Sequence, residues 1–295
     1  MNIRIKFQKY GVMKFIGHLD MMRYFQKAIR RADIDIAYSG GYSPHQIMSF
    51  AAPLGVGVTS DGEYFDIRVN SSKSSQESIQ ALNETMAEGI SVLEYKRLPD
   101  TAKTAMSLVA AADYLIYAKP GAAPLAETPE GLQAKVQAFY EHQSEICIDK
   151  QTKKREITMD LKPLIYQMKA LNVRSEETLS AIKVKNPELL AACKEHGAKD
   201  SVPALFLKVC TGSADNVKPE LVLEAFCKFH GLSLEMAGLQ IHRLEVYAKA
   251  EEIPVKGEAE RKAYENYLQG QKSIYQRQGR AFPEFFTLGE HGRDI

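Results

Sequence analysis

Between Tyr38 and Gly57 the chain reads Tyr-Ser-Gly-Gly-Tyr-Ser-Pro-His-Gln-Ile-Met-Ser-Phe-Ala-Ala-Pro-Leu-Gly-Val-Gly, with four glycines and two prolines in twenty residues. No helix runs through such a segment, and no strand runs through it unbroken. Glycine frees φ, and proline fixes φ while removing a donor. Ile47, Met48, Phe50, Leu54 and Val56 nevertheless call for burial, so the segment reads as a shaped, packed loop rather than a linker. Tyr38, Tyr42 and His45 give it chemistry.

Regular elements flank the loop. Ile3, Ile5 and Phe7 alternate with Arg4, Lys6 and Gln8, which predicts a half-buried strand. A helix starting at about His18 and ending near Ala32 follows, with Leu19, Met22, Phe25 and Ile29 as its apolar stripe and Arg23, Lys27, Arg30 and Arg31 outside it. After the loop, Tyr64–Val69 alternates as a strand. Ser74 and Glu77 have capping-box spacing, Gly89 stops the helix that they start, and residues 90–97 form another strand. The second strand of this set falls within Gln46–Ala52, with a further piece at 34–38. The order is the split βαβ, or ferredoxin-like, plan.

The order then repeats. Strands are predicted at 111–118, 204–210 and 240–248, and helices from Thr128-Pro129 and Lys218-Pro219. Short strands at 145–149 and 153–160 pair with each other. The expectation is α+β: two tandem ferredoxin-like (βαββαβ) domains at 1–100 and 106–249, the second with a helical insertion near 162–200. A polar, loosely held tail occupies 250–295, helical over 257–270.

A formal net charge of +1 gives no global attraction to nucleic acid or membrane, so any basic site must be local. No apolar run reaches transmembrane length, and the first residues lack a signal-peptide core, so a cytoplasmic location with no membrane partner is expected. Cys147, Cys193, Cys210 and Cys227 lie too far apart for a local zinc or iron–sulfur motif. No metal or cofactor is expected.

The motifs Gly17-His-Leu-Asp20, Tyr38-Ser39, Gly41-Tyr-Ser-Pro-His45, Ser49-Phe-Ala51 and Pro53-Leu-Gly-Val-Gly57 resemble those of the radical-SAM-linked protein family. Arg155-Glu-Ile157, Asp160-Leu-Lys-Pro163, the 211–219 segment and His242-Arg-Leu-Glu-Val-Tyr247 extend the resemblance over residues 1–248. It implies association with a radical SAM enzyme. Family members also sit in gene neighbourhoods with a ribonuclease and ribosomal proteins, which points to RNA. The chain lacks the three-cysteine cluster motif of those enzymes, so a partner would supply the cluster.

The candidate ligand-binding residues are His18, Asp20, Arg23, Arg30, Arg31, Tyr42, His45 and Ser49. The arginines supply charge for phosphates, and the tyrosines supply faces for bases. The return of the chain through Gly40 and Gly41 is expected to bring His18 and His45 to one cleft with Asp20, Tyr42 and Ser49. The plainer alternative makes His18 a helix cap, His45 a loop tie and the basic stripe a solvated face. Three functions follow: a non-catalytic subunit that recognises substrate, RNA above all, for a radical SAM enzyme; an RNA-processing enzyme with His18 and His45 as acid and base; or a protein–protein adaptor. In the second half, Lys153, Lys154 and Arg155 form a short basic cluster, and Thr211–Asn216 reads as turn-and-cap chemistry.

Overall fold

The computed structural model describes residues 1–151, 156–173, 202–212, 215–233 and 238–295. The chain is a mixed α+β protein with mostly antiparallel strands and six α-helices among the described residues. It divides into two compact units, one of residues 1–56, 62–111 and 245–295, the other of residues 57–61 and 112–244. The sequence reading divides the chain near 100–106 and 249–250; the units of the structure break inside strands at 61/62, 111/112 and 244/245, and in a turn at 56/57.

In the first unit, β1 (Asn2–Lys9), α1 (His18–Arg31), β2 (Met48–Phe50), β3 (Thr59–Arg68), α2 (Ser75–Asn83) and β4 (Ile90–Leu98) follow one another, with β3 entering at Gly62. The strand order is β4-β1-β3, and β2 pairs on the other side of β3. β1 and β4 are antiparallel from Asn2↔Leu98 to Lys9↔Ile90, and β2 meets β3 through Phe50↔Phe65. Alternation in β1 points Ile3, Ile5 and Phe7 into a core with Met21, Phe25 and Ile29 of α1. Ser74 and Glu77 form the expected capping box at the start of α2.

α1 ends without glycine. Asp33 takes the left-handed conformation at φ 54°, Ile34 N–H donates to the Ile29 carbonyl at 3.2 Å, and Asp33 N–H donates to the Arg30 carbonyl at 3.3 Å. This is a Schellman closure. Aspartate tolerates it at modest cost, and no glycine signal marks it in the sequence.

Residues 250–295 are not loosely held. α6 (Glu258–Arg277) is longer than expected, and β11 (Phe285–Thr287) pairs antiparallel with the end of β10 (Leu239–Lys249) at Tyr247↔Thr287. Leu288 is fully buried, and the Arg293 and Arg97 backbones bond to each other. Arg4, 2% exposed, explains this closure. Its guanidinium donates to both Asp66 oxygens at 2.8 and 3.0 Å and to the Leu288 carbonyl at 3.1 Å. Asp66 also accepts from the Ala105 N–H at 2.6 Å, in the short helix α3 (Ala105–Leu108). A buried charge must be paired and fully hydrogen-bonded. Here the tail carbonyl completes the shell.

The second unit contains most of β5 (Val109–Ala118), α4 (Pro129–Val136), β6 (Cys147–Gln151), β7 (Glu156–Asp160), β8 (Ile165–Val173), β9 (Val202–Cys210), α5 (Pro219–Phe229) and the first part of β10. Its strand order is β10-β5-β9-β8, with β6 and β7 as a separate hairpin. β5 is buried along its whole length. β8 corrects the expected helical insertion over 165–173. Ile165-Tyr-Gln-Met-Lys-Ala-Leu-Asn-Val mixes helix formers with no clean alternation, and its strand state is set by pairing with β9 from Ile165↔Val209 to Val173↔Val202. The rest of the expected insertion lies outside the described residues.

β3 also begins five residues earlier than Tyr64. Thr59, Ser60 and Asp61 look like loop residues, yet all three are buried. Thr59 Oγ1 lies 2.9 Å from His242 Nδ1, Asp61 Oδ2 lies 3.0 Å from His242 Nε2, and Gln240 Nε2 donates to Thr59 Oγ1 at 3.3 Å. Partners from a distant strand satisfy Thr59 and Asp61, which local sequence cannot reveal.

Beside Arg4, His291 has its Nε2 sealed from solvent. Burial, then the Arg4 charge, pushes its pKa down to about 4. The folded value lies below the unfolded one, so the contribution is intact above the unfolded pKa and is lost as pH falls toward 4. Stability should drop between about pH 6.5 and 4, by ~3 kcal/mol at most from this group. Urea denaturation across that window should show a smaller slope for His291→Gln than for wild type; equal slopes would refute the assignment.

Candidate functional site

α1 starts after Gly17, whose carbonyl accepts from Met21 N–H at 3.0 Å. His18, half-buried, sets its ring edge-on to Phe50, with centroids 5.3 Å apart and planes at 88°. Asp20 is exposed and accepts from Arg23 Nη1 at 3.0 Å, so the first cation of the basic stripe is already paired. Farther along, Arg30 Nε donates to the Gln26 carbonyl at 3.2 Å and Arg31 Nη2 to the Thr85 carbonyl at 3.0 Å. Both arginines are exposed, as expected of a stripe facing solvent.

The 38–57 loop opens as a small hairpin. Tyr38 and Gln46 bridge, Ser39 N–H donates to the His45 carbonyl at 2.8 Å, and Gly41 supplies φ +98° at the turn. Ile47 N–H donates to the Ala37 carbonyl, and Arg68 N–H to the Ile47 carbonyl, which ties the hairpin to β3. Gln46 Nε2 reaches the Gln26 carbonyl at 3.2 Å and pins the hairpin to the middle of α1. The loop is therefore held at its base, while residues 40–45 are exposed. Tyr42 stands wholly in solvent and Tyr38 is half exposed. Val56, expected inside, is exposed as well; Phe50 carries the burial instead.

Ser39 Oγ accepts the His45 backbone N–H at 3.1 Å and lies 2.9 Å from His45 Nδ1. A hydroxyl with one proton and two lone pairs takes either role toward Nδ1, so the contact ties the ring to Ser39 in either neutral tautomer.

No hydrogen bond, ion pair or ring contact joins His18 to His45. Gln46 reaches α1, and Met48 and Phe50 pack against the core. Ser49 lines a separate groove of about 270 Å³ with Asp66, Arg68 and Lys103. His18 belongs with Phe50, and His45 with Ser39. Of the expected residues, Asp20 and Arg23 are joined to each other.

Sequence reasoning missed a second groove, of about 600 Å³, at the C-terminal end of α1. Arg30, Tyr38, Ser71, Ser72, Lys73 and Tyr95 are among its lining residues. Ser72 Oγ donates to Tyr95 Oη at 3.1 Å. Asp35, on the same rim, accepts from Asn70 Nδ2 at 2.9 Å and Ser71 Oγ at 2.7 Å, which hold its carboxyl below the usual range. The Ser71-Ser-Lys-Ser run was the available signal, but it reads first as a helix start. The groove combines a cationic pair, an aromatic face and hydroxyls.

A family model described as uncharacterized protein conserved in bacteria (DUF2344) matches residues 2–219. The chain belongs to the DUF2344 family. A search of curated proteins finds no match. The family description assigns no activity, and the radical SAM link remains the expectation raised by the motifs. Among the described residues, no group of three or more His, Cys, Asp or Glu is placed to hold a metal, and no helix is long and apolar enough to cross a membrane. Lys153, Lys154, Arg155 and Cys193 lie outside the described residues.

Ser39→Ala removes the hydroxyl that meets both the backbone N–H and Nδ1 of His45. Imidazole nitrogen NMR should show a His45 tautomer ratio that shifts between wild type and variant, with a stability loss of about 1 kcal/mol. An unchanged tautomer ratio would refute the assigned bond.

Proposed function

We propose that this DUF2344 protein is a non-catalytic recognition subunit that binds single-stranded RNA and presents it to a radical SAM enzyme. The observation that carries the reading is the placement of aromatic faces beside cations. Tyr42 stands free at the hairpin tip, and Tyr38 shares a groove with Arg30 and Lys73. Exposed tyrosines on a braced hairpin suit base stacking, and cations at the helix end suit phosphates. Because Asp33 and Asp35 share the rim, charge there is nearly balanced, and stacking rather than net charge would dominate affinity. The motif resemblance motivates the radical SAM partner. Val12 and Phe15 in the 3-10 turn before α1, and Leu19 in its first turn, are exposed and offer apolar surface for a protein contact. His18 and His45 make no contact with each other, which favours recognition over acid–base cleavage.

We also infer a ferredoxin-like plan for each unit. In the first, β1-α1-β2-β3-α2-β4 with strand order β4-β1-β3-β2 supports it. In the second, β5-α4-β8-β9-α5-β10 with order β10-β5-β9-β8 supports it, the β6–β7 hairpin being an addition.

Fluorescence anisotropy with a uridine-rich oligonucleotide tests the RNA reading. Tyr42→Ala should weaken binding by about 1–3 kcal/mol. Arg30→Ala with Lys73→Ala should lower the salt slope by about 0.7 per lost phosphate contact. No binding by wild type at low salt would end the RNA reading, and recovery of a radical SAM protein without RNA from cells would favour an adaptor.

A further inference from the structure

The second unit carries a groove of about 540 Å³ between α5 and the β6–β7 hairpin. Phe139, Ile146, Leu221 and Phe229 give it an apolar floor. Phe229 is 47% exposed although it packs on Phe139, with centroids 5.6 Å apart, so the floor is open to solvent. The rim is acidic: Glu145, Asp149 and Glu224 are exposed around it, against Lys228 alone among the cations lining it.

Two further facts define the groove. Glu145 to Asp149 line it without a gap, so the edge of the strand, rather than one of its faces, looks into it. β6 pairs with β7 alone among the described residues, and no described strand pairs with that edge. An unpaired edge is a template for another strand, and proteins ordinarily protect such edges. The local field is also negative at Cys147, where desolvation and then the carboxylates of Glu145, Asp160 and Asp149 push the thiol pKa up.

We propose that this groove binds an extended peptide that alternates lysine or arginine with aliphatic residues and adds as a strand to that edge of β6. Main-chain bonds to the edge would supply affinity, and alternation would supply selectivity. One set of side chains would enter the apolar floor and the other would reach the acidic rim. A partner of opposite sign would place carboxylates against Glu145, Asp149 and Glu224. The site is separate from the RNA reading and does not rest on it.

A fluorescein-labelled octapeptide of alternating lysine and valine, titrated with the full chain, tests this. It should bind, and a glutamate–valine octapeptide should bind at least about tenfold more weakly. Glu145→Lys with Glu224→Lys should weaken the lysine peptide by a similar factor; both positions are exposed, so circular dichroism should show an intact fold. An analogue N-methylated at alternate residues should lose binding, because it cannot donate to the edge. No binding, equal binding of the two peptides, or full binding of the N-methylated analogue would overturn the proposal. A peptide-free dimer, seen in sedimentation and lost in the double variant, would overturn it in favour of a second copy.

Discussion

Four phenylalanines organise the first unit. Phe7 of β1, Phe25 of α1, Phe50 of β2 and Phe65 of β3 meet with centroid separations between 4.7 and 6.1 Å. Phe50 and Phe65 stack at 21°, and the other pairs are tilted or edge-on. Each ring comes from a different element, so the cluster fixes the helix on the sheet and β2 on the sheet edge together. Aromatic pairs add about 0.5–1.5 kcal/mol beyond their burial. The consequence reaches the site. With Phe50 sunk in this cluster, the glycine-rich segment has one anchor at its C-terminal side and Gln46 at its middle. What remains free is the 40–45 tip, and that is where Tyr42 stands.

A second constraint holds the chain end. Arg4 sits in an alternating strand, where it looks like a solvent-facing residue between Ile3 and Ile5. It is buried because the tail covers that face of the sheet, and its charge is tolerated because Asp66, the Leu288 carbonyl and the Lys103 carbonyl surround it. A buried pair of this kind contributes little net stability but punishes any arrangement that leaves one partner alone. It therefore selects the tail's position more than it strengthens the fold. The polar composition of residues 250–295 suggests a loose appendage because the burial there rests on few residues, Leu288 and Leu268 among them, and because its pairing partners are far away in sequence.

What was legible in the sequence follows from range. The capping box at Ser74, the Thr128-Pro129 helix start and the alternation of β1 are local signals, and they mark real elements. The hairpin of β6 and β7 also rests on neighbours in sequence. β8 and the first residues of β3 were hidden because distant strands decide their state. Val202–Cys210 imposes pairing on a helix-prone run, and His242 with Gln240 makes a polar run buriable. In the candidate site, residue types were readable but proximity was not. Lys73 and Tyr38 come to one groove only through the turn at Asp33, which closes α1 without the glycine that normally announces it.

The reach of the chain does not place the hairpin; the register of β2 does. The segment from Asp33 to Pro44 is long enough to return to the start of α1. The return is made as a hairpin closed by the Tyr38–Gln46 bridge and tied to β3 through Ile47 and β2. Within Met48–Phe50 the register is set by Phe50, which pairs with Phe65 and enters the aromatic cluster. A one-residue slip there would expel Phe50 from the core and turn Ser49 inward. That cost holds the hairpin in place with its 40–45 tip in solvent, and what the loop offers a ligand is that tip and the groove beside Tyr38.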